Sequence, residues 1–237
     1  MKSTMQVCAV KLDGTLTKNK YDNLMHYISC EKYNRINKFH RFEDVQRSLI
    51  GDIVIRYLLC KRLKIENNKI VFGVNAYGKP YLMNYTDIHF NISHSGKWVV
   101  GCVDVFPVGI DIEQIKPTDL KIADRFFSKL EYKWLVSNNF LEKESYFYAL
   151  WTLKESYIKA VGKGLSIPLD SFSIIFKEND IAVYPKLDME DYYFKQYNID
   201  VSYMMAVCSC HKIPSADILI FTEEELYDNS ETLLNRI

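Results

Sequence analysis

The chain has 237 residues, 48% of them hydrophobic and 25% charged, with 30 Lys+Arg set against 30 Asp+Glu. That length can bury a sizeable core as one large domain or two small ones, and the composition excludes a disordered chain. The even charge balance argues against general nucleic-acid binding, and no apolar run approaches the roughly 18 residues of a membrane span.

The chain opens into strand-like Val7-Cys8-Ala9-Val10 with no signal-peptide core. A strand is predicted over 6–12, helical pieces over 21–28 and 31–39, and a long amphipathic helix over 42–63. Val45, Leu49 and Ile53 lie on the buried side of that helix. Strands follow near 70–75, 88–93 and 98–105, with a turn at Tyr77-Gly78-Lys79-Pro80. The order then restarts, with a strand over 108–114, helices over 119–138 and a long helix over 144–161. Strands recur near 171–176, 181–184, 192–198 and 203–209. The same plan thus appears twice, although the two copies share no residue-level similarity. The expected parts are 1–106, 107–212 and a tail over 213–237 that reads as a strand and an acidic helix, with a boundary near Phe106-Pro107. Six scattered cysteines (Cys8, Cys30, Cys60, Cys102, Cys208 and Cys210) show no zinc-type Cys-x-x-Cys spacing. They read as reduced and buried, which fits the cytoplasm.

Two stretches carry chemistry. In Gly109-Ile110-Asp111-Ile112-Glu113 the strand period sends Ile110 and Ile112 to one face and Asp111 and Glu113 to the other. Two carboxylates roughly 7 Å apart on one face repel unless a cation lies between them, and hard oxygen donors on a rigid strand suit Mg²⁺. On spacing alone the pair better fits a half-exposed strand whose acids face water. In Trp151-Thr152-Leu153-Lys154-Glu155-Ser156-Tyr157-Ile158-Lys159, the residues Trp151, Glu155 and Lys159 share one helix face. Alone, Glu155 and Lys159 are an ordinary surface pair. Gly162 and Gly164 end this helix. Ser93 and His94 are expected in a loop after a strand, with no acid to complete a hydrolase triad. Ser128-Lys129-Leu130-Glu131 is a capping-box pattern, which would by itself explain Glu131.

Together, Ser93-His94-Ser95, Gly-Ile-Asp-Ile-Glu and Trp-x-x-Lys-Glu-x-x-x-Lys, in this order and at these separations, resemble the 4′-phosphopantetheinyl transferases. The likeness is to the larger, monomeric type that activates surfactin-like peptide synthetases, and it extends to Phe126-Phe127-Ser128-Lys129 and to 162–172. It implies an α+β fold of two similar halves related by a pseudo-twofold axis, with coenzyme A held between them. The implied reaction is transfer of the phosphopantetheine arm to a serine of a peptidyl or acyl carrier-protein domain, in nonribosomal peptide and antibiotic biosynthesis. The resemblance implies Asp111, Glu113 and Glu155 as Mg²⁺ (or Mn²⁺) ligands, and Lys159 and Lys154 beside the pyrophosphate. Ser93 and His94 would meet the nucleotide's phosphates, Lys32, Arg35 and Ser48 the 3′-phosphate, and Lys79 the adenine end. It gives Glu131 a second role, as general base, and it points to a monomer with no nucleic-acid or membrane partner. The carrier would dock near 162–172, with Lys163 offering a complementary charge. A metal-dependent hydrolase of coenzyme A and a non-catalytic coenzyme A-binding module are the alternatives.

Overall fold

The computed structural model describes residues 5–14, 16–137, 143–178, 180–186, 188–213 and 218–235. Position 138, where the second predicted helix ends, lies outside these residues, as does Pro214 at the head of the tail. By contacts the described chain falls into two units. The first contains 5–73, 81–105 and 218–235, and the second 74–80 and 106–213.

The first unit begins with β1 (Gln6–Lys11), followed by α1 (Lys18–Met25) and α2 (Cys30–Ile36). Both helices start earlier than hydrophobic periodicity suggests. The Thr17 and Ser29 hydroxyls accept from the N–H groups of Lys20 and Lys32 and so fix the first turns. The long helix α3 spans Phe42–Leu63, as predicted, and every residue from Leu49 to Cys60 is buried. Leu49, Ile50, Ile53, Leu58 and Leu59 are fully buried, each contributing about 1.5–3 kcal/mol. A hairpin of β2 (Phe72–Val74) and β3 (Pro80–Leu82) follows, then β4 (His89–Ser95) and β5 (Trp98–Asp104). The short strand β3 escaped the sequence pattern because it opens on Pro80, which has no N–H to donate.

In the second unit, β6 (Val108–Gln114) leads into α4 (Lys121–Phe126), α5 (Lys129–Ser137) and the long α6 (Lys143–Val161). Next come a second hairpin, β7 (Ser173–Phe176) and β8 (Ile181–Tyr184), and then β9 (Tyr193–Gln196) and β10 (Tyr203–Ser209).

The repeated plan holds element for element. Along the chain the order strand, two short helices, long helix, hairpin, strand, strand occurs twice. The sheet orders correspond too, β1-β5-β4 in the first unit and β6-β10-β9 in the second, with every one of these pairings antiparallel. The closing segment, β11 (Ile218–Thr222) and α7 (Glu223–Leu234), belongs to the first unit, where β11 pairs parallel with β1. The fold is α+β. No helix among the described residues is long and apolar enough to cross a membrane.

Candidate functional site

The second unit gathers the acids. On β6 an added Cβ at Gly109 would lie 2.0 Å from Ser156 O and 2.4 Å from Ala160 N, so this face of the strand rests directly on the α6 backbone. Alternation puts Asp111 and Glu113 on the same face. Lys159, on α6, donates to Asp111 Oδ1 at 2.6 Å and to Ile110 O at 3.3 Å. Glu155 sits one turn earlier. Burial pushes its carboxyl above the ordinary glutamate range, Lys159 opposes that shift, and Asp111 and Glu113 add to it. Three carboxylates and an ammonium from one strand and one helix therefore share a field. These acids are hard oxygen donors, as Mg²⁺ prefers. Even so, among the described residues no three carboxylate, imidazole or thiolate groups are drawn close enough together to hold an ion. The cation on Asp111 in this arrangement is Lys159.

Three expected contacts take other partners. Lys154 is fully buried, and its three N–H donors go to Glu131 Oε2 (2.9 Å), Leu169 O (2.8 Å) and Phe172 O (2.6 Å). Its ammonium also lies 4.1 Å from the Phe172 ring centroid. An ammonium so enclosed has no donor left for a pyrophosphate, so the structure ties α6 to α5 and to the 169–172 turn through Lys154 instead. Glu131 closes the expected capping box, since its Oε2 accepts from Ser128 N at 2.8 Å and Ser128 Oγ accepts from Glu131 N at 3.3 Å. Its Oε1 accepts from Ile174 N at 2.7 Å, so both oxygens of this buried carboxylate are occupied. The ammonium of Lys79 caps the carboxyl end of α6, donating to Lys159 O (2.5 Å), Val108 O (3.1 Å) and Ala160 O (3.4 Å). The charge is thereby taken up by backbone carbonyls of α6 and β6.

The first unit holds the other group. Ser93 and His94 lie within β4 and not in a loop after it. The hairpin turns tightly at Gly96 (φ +53°), so that Ser95 still pairs with Trp98 and the strand runs on to its end. Ser93 is buried and His94 exposed. The Arg47 guanidinium, which donates to Asp44 Oδ1 at 2.7 Å, holds that carboxyl below its ordinary range, and Arg41 and then His94 add smaller effects. Lys32 and exposed Arg35 lie on α2 and Ser48 on α3, one turn before Asp52. Asp52 binds Arg56 at 2.5 Å and faces Lys32 at 3.8 Å.

Residues 107–208 match the family model described as the 4′-phosphopantetheinyl transferase superfamily, and residues 15–105 match that described as 4′-phosphopantetheinyl transferase, N-terminal. The chain is 40% identical over 223 residues to 4′-phosphopantetheinyl transferase Sfp of Bacillus subtilis, covering 94% of this chain and 100% of that one. It is 38% identical over 226 residues to 4′-phosphopantetheinyl transferase psf-1 of Bacillus pumilus, covering 94% and 97%. It is 39% identical over 205 residues to 4′-phosphopantetheinyl transferase gsp of Aneurinibacillus migulanus, covering 86% of each. The chain belongs to the 4′-phosphopantetheinyl transferase superfamily.

In this transferase the Asp52–Arg56 pair leaves a signal in the sequence. A charged i, i+4 pair inside a helix that is otherwise buried needs a reason. Lys154 gave no such signal, because its partners at Leu169 and Phe172 are set by the path of the chain and not by local spacing.

Proposed function

We propose that this enzyme moves the 4′-phosphopantetheine arm of coenzyme A onto a serine of a peptidyl or acyl carrier-protein domain, releasing adenosine 3′,5′-bisphosphate. The observation that carries the reading is the shared field of Asp111, Glu113, Glu155 and Lys159 on β6 and α6. The serine oxygen bonds to the phosphorus that bears the pantetheine, and the bridging P–O bond of the pyrophosphate breaks. Such transfers are governed by positioning and charge neutralisation. Asp111, Glu113 and Glu155 would hold Mg²⁺, which when bound supplies neutralising charge at the pyrophosphate. The Lys159 side chain, part-exposed, can turn from Asp111 to a phosphate oxygen. Lys32, Arg35, Ser48, Ser93 and His94 would take the phosphates of the nucleotide, with Lys163 and the 162–172 segment meeting the carrier. The free cysteines of the chain fit a reducing, cytoplasmic setting.

The test is the intact mass of an apo carrier domain after incubation with this protein, coenzyme A and Mg²⁺. The expected result is a gain of one phosphopantetheine unit, blocked by EDTA. Nucleotide release from coenzyme A with no mass gain on either peptidyl or acyl carriers would make the protein a hydrolase.

A further inference from the structure

A buried ion pair is weak support for stability, because the desolvation of both charges offsets most of their attraction. The pair on α3 therefore asks for another explanation. Arg56 and Asp52 are only 3% and 7% exposed, and Nε donates to Asp52 Oδ1 at 2.5 Å. The guanidinium has further partners. Nη1 donates to Asn67 Oδ1 at 3.0 Å, Asn67 Nδ2 donates to Tyr27 O at 2.8 Å, and the ring of Phe72 lies 5.1 Å from the Arg56 carbon. This clamp fixes one oxygen of Asp52. The other, Oδ2, faces the Lys32 ammonium at 3.8 Å. Lys32 lies in the first turn of α2, whose start is pinned by the Ser29 cap on its own N–H, and Arg35 follows three residues later. Ser48 stands one turn before Asp52 on the same helix.

We infer that Asp52 is a positioning residue: its carboxylate, oriented by Arg56, holds the Lys32 ammonium in register with Arg35 and Ser48, and so sets selectivity for the 3′-phosphate of coenzyme A. The inference rests on the reading above that Lys32 meets that phosphate. Burial pulls Lys32 below the ordinary lysine range, and the positive charges of Arg35 and Arg56 pull it the same way. Asp52 opposes all three and favours the protonated form that a phosphate dianion needs. The separation of 3.8 Å makes a pair loose enough to yield when a doubly charged phosphate arrives.

Isothermal titration of the intact protein with coenzyme A and with 3′-dephospho-coenzyme A tests this without requiring turnover. The parent is expected to prefer coenzyme A, and Asp52→Asn should lower that preference about tenfold through the coenzyme A arm alone. Because Asp52→Asn strands a buried guanidinium, the double variant Asp52→Asn/Arg56→Gln removes both charges and should show the same loss. Asp52→Glu should restore part of the preference. In a Lys32→Met background the Asp52 substitution should change nothing further, as expected when one residue acts through the other. An unchanged preference in both Asp52 variants overturns the inference, and so does an equal loss for both ligands. A parent that prefers coenzyme A but fails to load carriers would sink the transferase reading and leave this one standing.

Discussion

Lys154 neighbours Glu155 in sequence and Glu131 is a candidate base, yet both side chains are built into the scaffold. Lys154 satisfies all three of its donors inside the protein, and burial pulls its ammonium down against the opposing pull of Glu131. Glu131→Gln removes the charge that compensates a fully buried lysine, and a broken buried pair costs about 3–5 kcal/mol. The expected result is a loss of that size in chemical denaturation, with the pH–rate profile of the residual activity keeping its shape. A lost acid limb in that profile would instead make Glu131 the proton acceptor. Half of this was legible in the sequence. The capping box is a four-residue pattern and was read as such, whereas the Lys154 partners lie 15 and 18 residues on, across two turns whose path only the packed structure defines.

At the scale of elements, the register between β6 and α6 sets the distance from Asp111 to Lys159. That register depends on Gly109, which lets the strand touch the helix backbone. A Cβ there would lie far inside contact distance of Ser156 O and Ala160 N, and backbone atoms cannot swing aside as a side chain can. Gly109→Ala should therefore force α6 away from the strand. The expected outcome is a thermal midpoint lower by several degrees or more, together with a fall in transferase activity larger than the unfolded fraction explains. Parent activity with an unchanged midpoint would mean that the contact is looser than the structure places it. The long helices, the first strand of each repeat and the final strand of the second were read to within a residue, because their periodicities are strong. The α1 and α2 boundaries moved because a single capping hydroxyl outweighed the apolar pattern.

For the whole molecule, the closing segment is as important as the site. The tail was legible as a strand and an acidic helix. Its partner was not, because β11 pairs with β1 more than 200 residues earlier, and parallel pairing leaves no local signature. Glu223 ties two remote stretches of the first unit to the tail. Its Oε2 accepts from Gly14 N at 2.7 Å and its Oε1 from Gln46 Nε2 at 2.5 Å, while Asp13 also reaches it. Burial raises the Glu223 pKa first of all and Asp13 adds to that rise, while the Gly14 and Gln46 bonds oppose it. A carboxyl whose folded pKa is raised binds its proton more tightly folded than unfolded. Its contribution to stability is thus fully present below the ordinary glutamate value of about 4.3, and it is lost as pH rises through the raised folded value. Denaturant titrations at pH 5 and pH 8 should therefore show a smaller difference for Glu223→Gln than for the parent, because the substitution removes one proton-linked contribution. The variant should fall further below the parent at pH 5 than at pH 8. An identical pH dependence in parent and variant would mean that Glu223 titrates alike in the folded and unfolded chain. The tail would then be held by the β1–β11 ladder and by Leu226, Tyr227 and Leu234, which are buried in the same core as α3.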